Sequence, residues 1–188
     1  MTTYLILFRG LNVGGKNKIA MKALKQFLED QGFGNVTTYI QSGNAILQSK
    51  LAARTVAGKI EKALPAAFKL DTAIIKVRVL SLADFEAVIK KRPKGFGSEP
   101  TKYHSDAIFL MDLEAREAMP AFSPKEGVDT VWPGDGVIYS QRLSALRTKS
   151  RLGKAMSSPL YKSMTIRSWS TTMKLLDLLR EADAGPAN

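Results

Sequence analysis

Apolar residues along the first eighty positions switch repeatedly between alternating and helical spacing, and the order of those switches restricts the fold more than any motif does. Thr3–Phe8 is a β-rich run followed by turn residues. Met21, Leu24, Phe27 and Leu28 then recur at helical spacing, and Gly32 supplies a stop. Val36–Gln41 and Ala45–Gln48 read as a hairpin around Ser42-Gly43-Asn44. Residues 52–68 are helical in composition with an expected break at Pro65, and Thr72–Leu80 closes the series as a strand. This β-α-β-β-α-β order is the split βαβ arrangement of a ferredoxin-like unit.

The second half offers nearly the same order. A helix over Leu82–Arg92 and a loop with Pro93, Gly95, Gly97 and Pro100 lead to a strand at Ala107–Met111 and a short helix ending near Pro120. A hairpin of Thr130–Trp132 against Val137–Ser140, a short strand near Thr165–Arg167 and a helix over Thr171–Arg180 follow. The fold expected is α+β: two ferredoxin-like (βαββαβ-type) subdomains packed together, at residues 1–81 and 105–182. Residues 82–104 would connect them, and 183–188 would form a disordered tail.

A chain of 188 residues has room for a core of this kind. Cysteine is absent, which removes disulfides, thiol catalysis and zinc sites that need sulfur. No apolar run is long enough for a signal core or a membrane span, so a soluble, cytoplasmic protein is expected, with no membrane partner and no cofactor implied. The net charge of +11 is concentrated. Residues 1–28 carry Arg9, Lys16, Lys18, Lys22 and Lys25 without an acid. Residues 136–176 carry Arg142, Arg147, Lys149, Arg151, Lys154, Lys162, Arg167 and Lys174, again without an acid. Such a field favours a phosphate-containing small molecule or a nucleic acid as partner; the alternative is the solvated surface of a basic protein.

GLNVGGKN, residues 10–17, comes within one letter of a phosphate-binding loop: Gly10, Gly15 and Lys16 fit, while Asn17 stands where Ser or Thr is required. Helical spacing begins only near Ala20 or Met21, so the loop is too long to place its Lys in a first helical turn. A Walker-B-like run, Ile108–Met111 before Asp112, is equally what any buried strand ending in a loop looks like. A nucleotide hydrolase is therefore disfavoured. A looser reading keeps Gly10, Gly14 and Gly15 as an anion-binding concavity, with Arg9, Lys16 and Lys18 adding charge; Asn17 stays among the candidate residues, its side-chain carbonyl oxygen being a magnesium ligand in the nucleotide reading. Its alternative is a tight strand-to-helix connection. Gln41, Ser42 and Asn44 would join this site if the hairpin turn meets the first loop. Asn12 and Asn44 are either side-chain contacts or residues that tolerate left-handed φ.

The stretch Arg9–Lys18, with Met21 and Leu24, and Thr38-Tyr39-Ile40-Gln41-Ser42-Gly43-Asn44 resembles the bacterial domain-of-unknown-function (DUF) 1697 family. Ile166-Arg167-Ser168-Trp169-Ser170-Thr171-Thr172 is similar to that family's arginine–asparagine–tryptophan–asparagine–threonine signature, with serine at both asparagine positions. The resemblance implies a two-subdomain protein with ferredoxin-like parts and brings no activity.

A second candidate anion site gathers Arg167, Trp169, Ser170, Thr171 and Lys174 at the start of the last helix, with Ser170 or Thr171 as its cap. The competing role for Trp169 is packing between the halves. His104 is the only histidine, which excludes a His-rich metal site, and its neighbours Ser105 and Asp106 do not by themselves make a triad. The leading functional reading is binding of a nucleotide or RNA through the first loop and the basic C-terminal segment. Two others stand beside it: an enzyme acting on a phosphorylated small molecule with Lys16 and Arg9 as electrophilic groups, and a non-catalytic interaction module.

Overall fold

Strand β1, Thr2–Arg9, is apolar on consecutive positions because both of its faces are buried. Tyr4, Ile6 and Phe8 point into one core, while Leu5 and Leu7 are equally buried on the opposite face. The computed structural model of the chain describes residues 1–71 and 75–185. In it β1 lies inside a four-stranded antiparallel sheet ordered β2-β3-β1-β4, with β2 at Gly34–Tyr39, β3 at Asn44–Ser49 and β4 at Lys76–Ser81. Thr2 pairs with Ser49 and Leu7 with Asn44 on one side of β1; Tyr4 pairs with Ser81 and Arg9 with Lys76 on the other.

Helices α1, Met21–Asp30, and α2, Ala53–Ala67, cover the Tyr4–Ile6–Phe8 face. Their buried stripes are Leu24, Phe27 and Leu28 in the first and Val56, Ile60 and Leu64 in the second, the spacing of a single apolar helix face. Pro65 does not break α2 as expected. It sits in the last turn, where its missing N–H costs one helical bond and its fixed φ still suits the helix. Part of the strand expected over Thr72–Leu80 lies outside the described residues.

After α3, Leu82–Lys90, a second four-stranded antiparallel sheet has the order β6-β7-β5-β8. Its strands are β5, Tyr103–Leu110; β6, Asp129–Pro133; β7, Val137–Leu143; and β8, Met164–Ser168. One face packs Ile108, Leu110, Ile138 and Met164 against Ala118 of α4, Ala115–Ala118, and Ala155 of α5, Leu152–Met156. On the other face Phe96 meets the rings of Trp132, Tyr139 and Trp169 edge-on at centroid distances of 6.1, 5.2 and 5.0 Å. The Tyr139 hydroxyl donates to the Val88 carbonyl at 2.6 Å, and burial pushes this phenol up to about 12.

The α+β class with two antiparallel sheets is as expected, but the division of the chain differs from the expected boundaries. One compact unit comprises Met1–Glu86 with Lys174–Asn188, and the other Ala87–Met173. The expected start of a second subdomain at residue 105 falls inside β5. The final helix α6, Trp169–Ala184, extends into the expected tail at Asp183 and Ala184, and residues 186–188 lie outside the described residues.

Candidate anion-binding surfaces

The first loop is anchored by Leu11, which is fully buried in the core of unit 1. Beyond it the chain folds back on itself: Asn12 N–H donates to the Asn17 carbonyl at 3.2 Å and Lys16 N–H to that of Val13 at 3.1 Å. Gly14 and Gly15 occupy the two central turn positions with φ of 59° and 78°, as a type I′ turn requires. GLNVGGKN is thus a miniature β-hairpin.

Its base is tied down by two asparagines in the left-handed region. Asn12, φ 54°, donates through Nδ2 to the carbonyls of Ile19 at 3.0 Å and Gln41 at 2.9 Å, and its Oδ1 accepts from Ile19 N–H at 2.9 Å. Asn17, φ 48° and 1% exposed, donates through Nδ2 to the Gly10 carbonyl at 2.9 Å, and its own N–H donates to Asp71 Oδ2 at 2.6 Å. A phosphate loop aims consecutive N–H groups at one anion. Here the N–H groups of Asn12, Lys16, Asn17 and Ile19 are all committed within the chain, one of them to a carboxylate. Helix α1 begins four residues after Asn17, with Ala20 as an N-cap that offers no side-chain bond. The likeness to a nucleotide loop therefore ends at the letters.

The hairpin turn after β2 does meet this loop. Phe8 N–H donates to the Gly43 carbonyl at 2.9 Å, beside the Asn12–Gln41 bond. Asn44 is fully buried and donates to the Tyr39 carbonyl at 3.0 Å and Ser42 Oγ at 3.1 Å, so it and Ser42 shape the turn. Gln41 contributes its backbone carbonyl, and its side chain is exposed. The side chains that the two loops offer solvent include Lys16, Lys18 and Gln41, with Val13 and Ile40 at 59% and 45% exposure. Arg9 is half-buried on β1, opposite Lys76 of β4.

In unit 2 the stretch from Ser144 to Ser163 is a 3₁₀ segment, α5 and a second 3₁₀ turn. It carries Arg147, Lys149, Arg151, Lys154 and Lys162, all exposed, and no acid. Its anchor is Asp129 on β6, whose Oδ2 accepts from Arg151 N–H at 2.9 Å and Lys125 N–H at 3.0 Å. Burial raises the Asp129 carboxyl, but the bonds from Arg151, Ser150 and Lys125 and the Arg142 charge outweigh it and hold the group below the usual carboxylate range.

Two cations of the acid-free C-terminal stretch are not offered to ligands. Arg142 Nη1 lies 2.6 Å from Oδ2 of the buried Asp106, whose Oδ1 is 3.4 Å from His104 Nε2. Arg167 is buried, donates to Thr165 Oγ1 and the Ile166 carbonyl, each at 2.8 Å, and is lowered by burial to about 10, so it remains a cation at neutral pH. The cap of α6 is neither Ser170 nor Thr171 but Ser168, whose Oγ accepts from Thr171 N–H at 3.2 Å while its hydroxyl donates to Thr171 Oγ1 at 2.9 Å. Ser170 Oγ lies 3.1 Å from Ser168 Oγ. The Trp169 ring meets Phe96 and the Arg92 guanidinium of its own unit, and Lys174 is exposed on α6. Sequence reasoning overlooks Asp71 and Asp129, and weighs Asp106 only as a triad member and not as the partner of Arg142. Only Asp106 carries a usable signal, its two-residue spacing from His104 on one strand face.

Among the described residues no group of three or more His, Asp or Glu side chains is placed to hold a metal, and no helix is long and apolar enough to cross a membrane. A family described as protein of unknown function (DUF1697) matches residues 1–139. The chain belongs to DUF1697. That match holds the whole first loop and the hairpin turn, and ends three residues into β7, before the basic strip. This DUF1697 chain is also similar in structure to the conserved bacterial protein SP0830 from Streptococcus pneumoniae. The two share 26% identity over 96% of this chain and 99% of the other, with a TM-score of 0.79. No curated protein matches it.

Proposed function

We propose that this DUF1697 protein binds a polyanion, a single-stranded nucleic acid, through the Arg147–Lys162 strip, with Lys16 and Lys18 on the projecting hairpin as a further cationic element. The observation that carries the reading is the acid-free run of five exposed cations on a short-helix segment, none of them in an ion pair among the described residues. Unscreened cations of this kind release counterions when they meet phosphates, which is the main source of sequence-independent affinity. The absence of an exposed aromatic row among the described residues argues for backbone contact over base reading. The identical strand order of the two sheets supports taking each unit as ferredoxin-like, and a cysteine-free chain suits the reducing cytoplasm.

A nucleotide or other small phosphorylated ligand at the first loop is supported less well, because the N–H groups of Asn12, Lys16, Asn17 and Ile19 are spent within the chain, one of them on Asp71. The deciding experiment is binding of a labelled mixed-sequence RNA across a salt series, with ATP and inorganic phosphate as competitors. Affinity should fall steeply between about 50 and about 200 mM salt and be insensitive to ATP. Lys149→Glu with Lys154→Glu should weaken it uniformly across sequences and flatten the salt slope by about one per substituted lysine. Binding that ATP displaces, or that is indifferent to both substitutions, refutes the proposal.

A further inference from the structure

A cleft of about 300 Å³ lies within unit 1, between the β2–β3 hairpin and the C-terminal half of α6. It exists because β2 is an edge strand, irregular between Gly34 and Thr37, and α6 leaves part of its face uncovered. The end of α6 is tied to β3 by Gln48 Nε2, 3.5 Å from the Ala182 carbonyl. The cleft is at the lower end of the size range for small-molecule pockets.

The lining fixes the chemistry of an occupant. Ile46, Leu175, Leu178 and Ala182 supply apolar walls, and Tyr39 adds an aromatic ring. Glu181 is the single charged residue of the lining, and no ion pair engages it among the described residues. A chain of net charge +11 thus places no cation in its cleft and one unneutralised carboxylate at it. Asn44 also lines the cleft, but its side-chain amide donates to the turn, to the Tyr39 carbonyl and Ser42 Oγ. A phosphate or carboxylate would find no charge partner here and would meet Glu181. An ammonium group finds a carboxylate and an aromatic ring, and its carbon skeleton finds apolar walls.

We infer that this cleft is a binding site for a small organic cation, an amine with an apolar body. It is chemically separate from the polyanion surface proposed above and stands or falls without it.

The probe is 4-phenylbutylamine, titrated into the full chain and followed by amide NMR shifts, with 4-phenylbutanol and 4-phenylbutyrate as neutral and anionic counterparts. The amine should saturate with shifts confined to Thr37–Ile46 and Leu175–Ala182, and should bind about tenfold more tightly than the alcohol. Glu181→Gln, at an exposed position, should abolish that preference while leaving the alcohol's affinity unchanged. Leu178→Trp, which fills the cleft from one wall, should abolish binding of both. Equal affinity for all three probes, no saturable shift at the cleft, or binding that survives Leu178→Trp in a folded protein overturns the inference.

Discussion

Asn12 is a test of whether the most conspicuous loop of the chain is architecture or binding surface. Replacing it with alanine removes three side-chain bonds: two donated to the Ile19 and Gln41 carbonyls and one accepted from Ile19 N–H. At about 1 kcal/mol each, with the solvent-exposed bond to Gln41 discounted, these amount to roughly 2 kcal/mol. Alanine must also hold a φ of 54°, which costs it about 1 kcal/mol. Asn12→Ala should therefore cost about 3 kcal/mol, and Asn12→Gly about 2, since glycine accepts the backbone angle. Both tryptophans, Trp132 and Trp169, lie in unit 2, so their fluorescence does not report unfolding of unit 1. Urea unfolding should be followed instead by far-ultraviolet circular dichroism, with amide exchange at Ile19 and Phe8 as a local check. A loss below about 0.5 kcal/mol for Asn12→Ala, or RNA binding that collapses while stability is unchanged, would refute the architectural reading.

Gly43→Ala should destabilise unit 1 by about 2 kcal/mol or more. Its φ is 75° and a new Cβ would lie 3.0 Å from Phe8 Cβ, so denaturant midpoints should fall well below those of Gly14→Ala. Gly14→Ala has open space around it and only its φ of 59° to contend with; Gly14→Asn should recover most of the loss in the same assay. Asp129 has a folded pKa below its unfolded one, so its contribution to stability is present above the unfolded value near 4 and is lost as pH falls through the folded value. Asp129→Asn should remove that part of the acid dependence, measured as the slope of unfolding free energy between about pH 5 and pH 2.

The strands and helices of unit 1 are legible in the sequence because each keeps one period for long enough: β1 as a continuous apolar run, α1 and α2 as single stripes. Periodicity starts β5 at Ala107, whereas the strand begins at Tyr103. The polar residues at its start look like loop, and become strand because Arg142 pairs with Asp106 and Gln141 accepts from Ser105 Oγ at 3.0 Å across the sheet. The first loop shows the same limit. Its glycines announce positive φ, but a nest and a hairpin require the same glycines. What separates them is the partner of each N–H, and one partner, Asp71, is 54 residues away. The charge map is legible in outline only, since burial withdraws Arg167 and an ion pair withdraws Arg142. Ser168 escapes notice as a cap because α6 starts two residues before its helical periodicity does.

Unit 1 is assembled from two stretches of chain, with all of unit 2 spliced between Glu86 and Lys174. On a ribosome, where the chain emerges from its N-terminus, the sheet of unit 1 is complete at Ser81, yet Leu175, Leu176 and Leu179 of the same unit are made only after the whole of unit 2. Unit 2, though encoded later, has its full complement of residues first. The amine cleft, walled on one side by Leu175 and Leu178, cannot form until the chain has been made past unit 2.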